Sequence, residues 1–427
     1  MISQSQTFAL KGNILYCKDI SEMVAFEQHY LVCVDGKTEG IFQTLPACYT
    51  GILVEDKGDR LIIPGLVDLH VHAPQYAFRG LGMDLELLDW LCSITFPEEA
   101  KYADLDYAEK AYQLFADDLL AGATTRASIF ATTHVQSTVL LMDILERTGL
   151  KAMVGKVNMD RNCPDYLCEE NAAVSISSTE EWLTHIQGRY KNITPILTPR
   201  FTPACTDILM EGLGKLTSTE KCPVQSHLSE NQAEIAWVQE LCPGAETYAE
   251  TYDRYALLGN DAPCIMAHCT HLCQEEISLL QKRNVFIAHC PQSNANLSSG
   301  IAPIRQYLDS GLQVGLGSDV AAGYSLSIFR AMADAIQVSK LRWKLMDNSL
   351  KPLTITEAFF LATKGGGKFF GNVGSFERGC EFDAVILDDS NLPSPSSLTL
   401  FQRLERLIYL SDNRNVIEKY VSGRRVK

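Results

Sequence analysis

"IIPGLVDLHVHAPQ", Ile62 to Gln75, places two histidines, His70 and His72, one residue apart in an apolar, strand-like run. Side chains alternate faces along a strand, so the two imidazoles project the same way, about 7 Å apart along the backbone. By the same alternation Val67, Leu69 and Val71 are expected on the opposite face, packed on helices. Two imidazoles on one face begin a metal site, and further donors must come from elsewhere in the chain.

The chain downstream offers a way to deliver them. "LVDLHVH", "ATTRASIF", "KAMVGKVNM", "ITPILTPRF", "PVQSHLSE", "PCIMAHC", "VFIAHC" and "VGLGSD" are eight strand-like runs. Amphipathic stretches such as "DYAEKAYQLFADDLLAG" and "QEEISLLQKRN" lie between them. Eight alternating units predict an α/β fold, a TIM-like (β/α)8 barrel. An open doubly wound sheet wants a glycine-rich phosphate turn after its first strand, and "HVHAPQYAF" is not one. Both chain ends have another texture: "FALKGNILYC", "YLVCVDG", "DRLIIPG" and "GCEFDAVILD" read as strands separated by turns. The expected organisation is a small β-sandwich built from residues 1–65 and 369–427, around a catalytic barrel at 66–368.

Polar residues gather at the C-terminal ends of the strand-like runs, which a barrel collects around one mouth. Arg200 and Phe201 end the fourth run, His227 and Glu230 the fifth, His268 the sixth, His289 the seventh and Asp319 the eighth. His227 would add a third nitrogen to His70 and His72, and Asp319 an oxygen. That donor set suits zinc, with ferrous iron equally open, and an ion held so lowers the pKa of a bound water towards about 7. Glu230, three residues after His227, is placed for general acid–base work. His268 is placed to hydrogen-bond the attacking water, and His289 reads as a supporting residue. The run "HCTHLC", His268 to Cys273, is too tightly spaced for a structural zinc site and reads as a loop and helix start.

Composition limits the partners. The 427 residues carry a formal charge of -15, a poor match for nucleic acid, which binds through local excess of Lys and Arg. No apolar run is long enough to span a membrane, and the N-terminus has no signal-peptide pattern, so a cytoplasmic protein is expected. The 14 cysteines are scattered singly and read as reduced, small apolar residues.

Taken together, the histidine pair, the strand-five histidine with a glutamate three residues on, the strand-six histidine and the strand-eight aspartate resemble the amidohydrolase superfamily. "PGLVDLHVHAPQYAFRG", "TPRFTPACT", "QSHLSEN", "AHCPQSNANLSSG" and "GLGSDVAAGYS" are similar, more narrowly, to the guanine-deaminating family within it. The similarity runs from about Leu61 to about Asp388. It implies hydrolysis of guanine to xanthine and ammonia by a homodimer, with one zinc on His70, His72, His227 and Asp319. It also implies that Gln75, Arg200 and Phe201 contact the purine, alongside His227, Glu230 and Asp319. Two-metal relatives often carry a modified lysine on the fourth strand; "PILTPRFTP" has none and Lys156 lies on the third, which favours one metal. The P-C-x-x-C of the other zinc deaminase fold is absent.

The substrate chemistry agrees. Guanine's C6 carbonyl wants donors, which a guanidinium supplies in a planar fork, while an amide both donates and accepts. Trp90 or Phe201 suits the ring face. In the expected reaction Asp319 takes a proton from the metal-activated water as it attacks C2. Glu230 protonates N3, and His268 steadies the oxygen. Two alternatives stand beside this: deamination or dechlorination of another heterocycle, such as cytosine or a triazine, and a non-catalytic interaction protein on the same fold.

Overall fold

The computed structural model describes residues 7–427. Strands in chain order are β1 (Thr7–Cys17), β2 (Met23–Val34), β3 (Lys37–Phe42), β4 (Leu53–Pro64), β5 (Leu66–His72) and β6 (Thr124–Phe130). They continue as β7 (Lys151–Gly155), β8 (Val157–Asn158), β9 (Ile193–Pro195), β10 (Thr198–Pro199), β11 (Val224–Leu228) and β12 (Cys264–His268). The last five are β13 (Phe286–His289), β14 (Gln313–Leu316), β15 (Ala384–Leu387), β16 (Val416–Val421) and β17 (Arg424–Arg425).

Both chain ends join one seven-stranded sheet, ordered β17-β16-β15-β4-β1-β2-β3. The junction is the antiparallel pairing of β15 with β4, from Ala384 opposite Pro64 to Leu387 opposite Leu61. Phe8, Leu10, Tyr16, Leu31, Phe382 and Tyr420 bury together against this sheet. Phe8 meets Phe382 edge-on, ring centroids 5.3 Å apart, a favoured aromatic geometry. The C-terminal segment is not all strand: Leu400–Leu410 is a helix. Its buried Leu400, Leu404, Leu407 and Ile408 follow a helical period.

The middle of the chain holds two four-stranded parallel sheets, β5-β6-β7-β9 and β11-β12-β13-β14, with a short β8-β10 pair. All eight strand-like runs of the sequence carry strands. The residues of β5, β6, β12 and β13 are buried throughout, as parallel strands covered by helices require. The two sheets meet at a parallel bridge between Leu197 and Val224. At the other margin Asp319 N–H donates to the His70 carbonyl at 2.9 Å, and His72 N–H to that of Val320 at 3.3 Å. Helices pack between the strands, and local chemistry starts several of them: Asp104 caps Leu105–Ala121, and Asn231 with Glu234 forms a capping box on Gln232–Leu241.

One expectation is corrected on β5. Val67 and Leu69 do not share the helix-facing side with Val71. They cluster with Ile196, Ile265, Ala267, Phe286 and Ala288 from the other parallel strands, whereas Val71 lies among residues of the surrounding helices. The reason is a register shift between Asp68 and Val71: Asp68 pairs with Ala127 but Val71 with Ile129. Three steps on β5 answer two on β6, so the alternation slips by one residue. His70 and His72 still face the same way, now at the end of a strand whose earlier apolar residues point inward.

Arg126 on β6 joins the central strands to the terminal sheet. Its buried guanidinium bonds Asp383 at 2.7 Å and Glu381 at 2.6 Å. Among the described residues, no helix is long and apolar enough to cross a membrane.

Candidate active site

The histidine pair on β5 is the first piece of the site. His70 Nε2 and His72 Nε2 lie 3.2 Å apart, and His227 Nε2, from β11, lies 3.2 Å from that of His72. Asp319 Oδ1, just past β14, is 3.1 Å from His70 Nε2 and 3.4 Å from His72 Nε2. A tetrahedral ion bound at about 2.0–2.1 Å needs its donors roughly 3.3 Å apart. The four side chains therefore fit a zinc-sized divalent ion. Burial first, then the neighbouring charges, pushes the His72 and His227 pKa values well below the ordinary imidazole value. The shift favours the neutral form that a metal ligand needs.

His268 and Cys290 are two further donors nearby. His70, His227 and His268 offer ring nitrogens within 4.8 Å of one another, and so do donor atoms of His70, Cys290 and Asp319. Cys290 carries no signal in the sequence beyond its place after His289. Burial, then the charges of Asp319, Asp68 and Glu230, pushes its thiol well up, so it stays protonated and a weak donor.

Two strand ends are held in strained backbone. His268 has φ 69° and Asp319 φ 46°, left-handed conformations that non-glycine residues seldom adopt. Asp319 is steadied from behind by Asp68. The Asp68 carboxylate accepts from the Ser318 N–H at 3.0 Å and from the His70 N–H at 3.1 Å, and also accepts from the Ser318 hydroxyl. It joins the end of β5 to the turn after β14, and the motif reading overlooks it.

Glu230 follows β11 in a turn set by Ser229, which has φ 49°. Its side chain is buried 3.3 Å from His268 Nε2, and Ser299 Oγ donates to it at 3.2 Å. Burial raises its pKa well above the ordinary carboxylate value, and the charges of Asp319 and Glu234 add to this. Asp319 goes the other way: burial would raise it, but His70, His268 and His72 bring it below the usual range. Two carboxyl groups in one cavity are thus pushed in opposite directions. His268 Nδ1 donates to Asn294 Oδ1 at 2.9 Å, which turns its Nε2 toward the cavity.

Gln75, Arg200, Phe201 and Trp90 line the same cavity as His72, His227, Glu230, His268 and Asp319. Leu87, Trp90 and Leu91, from the segment after β5, close one side of it. The Trp90 indole N–H donates to the Leu81 carbonyl at 3.0 Å, so the ring is fixed. Behind Arg200 and Gln75 stands a buried carboxylate that the sequence reading does not single out, Glu99. His289 is buried on β13, does not line the cavity, and has its pKa lowered to about 3, mainly by burial. Lys156 pairs with Glu169 beside β7 and does not line the cavity. Within "HCTHLC", His271 bonds the Ser299 carbonyl at 2.6 Å and Cys273 starts the helix Gln274–Arg283, a loop and helix start.

A protein-family model described as amidohydrolase family matches residues 61–426. The chain belongs to the amidohydrolase family. Guanine deaminases are among the relatives it matches. That of Dictyostelium discoideum is 42% identical over 382 residues, covering 88% of this chain and 84% of its own. That of Homo sapiens is 40% identical over 380 residues, covering 85% and 82%. A crystal structure of guanine deaminase from C. acetobutylicum, with guanine bound in its active site, has a TM-score of 0.96. It is 47% identical and covers 98% of this chain and 99% of that one.

Proposed function

We propose that this cavity catalyses hydrolytic deamination of guanine to xanthine and ammonia. One observation carries the reading: the histidine and aspartate cluster shares its cavity with Arg200, Gln75 and the two aromatic residues. The relatives' shared name points the same way.

His70, His72, His227 and Asp319 would hold one divalent ion, zinc or ferrous iron by donor type. When bound, the ion supplies Lewis acidity and eases deprotonation of water at neutral pH. The remaining chemistry belongs to the side chains. Arg200 donates to the C6 carbonyl, Gln75 meets the polar purine edge, and Phe201 and Trp90 cover the ring. Asp319, kept anionic, takes a proton as the water oxygen bonds to C2. Glu230, kept protonated, gives its proton to N3. His268 hydrogen-bonds the incoming oxygen. The C2–amino bond then breaks, the nitrogen leaves as ammonia with the proton returned from Asp319, the C2 hydroxyl gives its remaining proton back to Glu230, and xanthine remains.

The finer architecture belongs to the same proposal. The Leu197–Val224 bridge and the bonds between β5 and the turn after β14 support a closed (β/α)8 barrel. Phe8 against Phe382 and Tyr420 supports a sandwich-like fold of the terminal sheet. The division at 1–65, 66–368 and 369–427 follows from these two units. A homodimer rests on the family resemblance alone, and a cytoplasmic location on the sequence pattern. A substrate panel tests the specificity: ammonia from guanine is the expected result, and ammonia from cytosine but not guanine would overturn it.

A further inference from the structure

Glu99 lies in the helix Phe96–Ala100 and is 2% exposed. It does not line the cavity, yet it holds two residues that do. Its Oε2 accepts from Arg200 Nη1 at 2.5 Å, and its Oε1 from Nη2 at 3.1 Å. The same Oε1 accepts from Gln75 Nε2 at 2.9 Å. Gln75 Oε1 accepts in turn from the Ala321 N–H at 3.2 Å, so both ends of the amide are tied.

The consequence for recognition follows by counting donors. A guanidinium has five N–H groups in a rigid fork, and Glu99 takes one from each terminal nitrogen. Three remain for a ligand, at a fixed angle. The Gln75 amide has one N–H on Glu99 and its oxygen on Ala321, so it has no reason to turn over. Its second N–H is left as a donor of set direction. Phe96, on the same helix as Glu99, lies under the Arg200 guanidinium at 5.1 Å and adds a second restraint. Without Glu99 the cavity would contain a buried, unpaired cation and an amide free to exchange donor for acceptor.

We propose that Glu99 is a positioning residue for substrate choice. By neutralising and orienting Arg200 and fixing the amide sense of Gln75, it makes the cavity select a purine with a carbonyl at C6. The inference rests on the guanine reading above, with Glu99 acting through Arg200 and Gln75 rather than on the reacting atoms.

The test compares Glu99→Gln and Glu99→Asp with the wild type, each loaded with zinc. The readouts are KM and kcat for guanine, and the inhibition constant of 2-aminopurine, which lacks the C6 oxygen. In Glu99→Gln the guanine KM should rise roughly 10- to 100-fold, the range for loosening a charge-assisted hydrogen bond. The 2-aminopurine constant should change by less than about threefold, because that ligand never used the oriented donors. Metal content and the pH profile of kcat should stay as in the wild type. Glu99→Asp should lie between, and it carries the test in the same order if Glu99→Gln does not fold. Equal weakening of guanine and 2-aminopurine, or an unchanged guanine KM in a folded, metal-loaded variant, overturns the proposal. A wild-type chain that releases no ammonia from guanine is a different outcome, which removes the parent reading.

Discussion

His227 donates its Nδ1–H to the backbone carbonyl of Arg200 across 2.6 Å. A carbonyl only accepts, so the tautomer is settled and the lone pair sits on Nε2, which faces His72. One hydrogen bond thus sets the aim of a ring proposed as a metal ligand and joins it to the residue proposed to read the purine. His227→Ala should leave the chain folded but without its metal. Elemental analysis after gel filtration should fall from about one ion per chain to a small fraction, given the loss of one of four donors. Undiminished metal in that variant would remove His227 from the ligand set.

Glu230 offers the cleanest separation of chemistry from metal binding. It contacts His268 and Ser299 and lies outside the four-donor cluster. Glu230→Gln keeps the shape and removes the transferable proton. Turnover of guanine should drop by about 10²- to 10⁴-fold, the usual worth of a positioned general acid, with metal content intact. Near-normal xanthine formation by this variant sinks the assigned role.

Asp68 is the structural support of the site. Ala at this position leaves the Ser318 N–H and hydroxyl and the His70 N–H without their shared acceptor. The cost should be about 1–3 kcal/mol of stability, read from denaturant titration of the metal-free protein. Retention of metal should weaken too, since His70 and Asp319 sit on the two segments that Asp68 joins. A stability change near zero would show that water replaces the carboxylate without loss.

Acid should loosen the seam between the central strands and the terminal sheet. Burial raises the Glu381 pKa, but Arg126, Lys151 and Ser422 outweigh it and bring it to about 2 from an ordinary 4.5. A carboxylate with a depressed folded pKa stabilises the fold above its unfolded value and loses that contribution as pH falls through the folded one. The melting-temperature advantage of wild type over Glu381→Gln should therefore be full above about pH 4.5 and vanish toward pH 2. An advantage that persists unchanged to pH 2 contradicts the pairing.

What could be read from the sequence was what repeats locally. Period and turn spacing are short-range signals, so the eight strand-like runs and the polar residues at their ends were legible. His70 and His72 stood out because imidazoles are costly in an apolar run, and His227, Glu230 and Asp319 because they end strand-like runs. Glu99 carried no such mark: it follows Glu98 in a first helical turn, where acids are ordinary, and lies 101 positions from Arg200. Asp68 meets Ser318 across 250 positions. The register slip on β5 has neither glycine nor proline to announce it, so strict alternation gave the right face for the histidines and the wrong one for Val67 and Leu69.

The central claim is a metal-dependent conversion of guanine, and an ultraviolet assay of guanine loss tests it most directly. The purified chain is assayed as prepared, after a chelator has stripped its metal, and after zinc is returned. The account predicts one ammonia and one xanthine for each guanine consumed, no turnover in the stripped protein, and recovery with zinc. A metal-loaded chain that leaves guanine untouched, or full turnover once elemental analysis finds the metal gone, would contradict it.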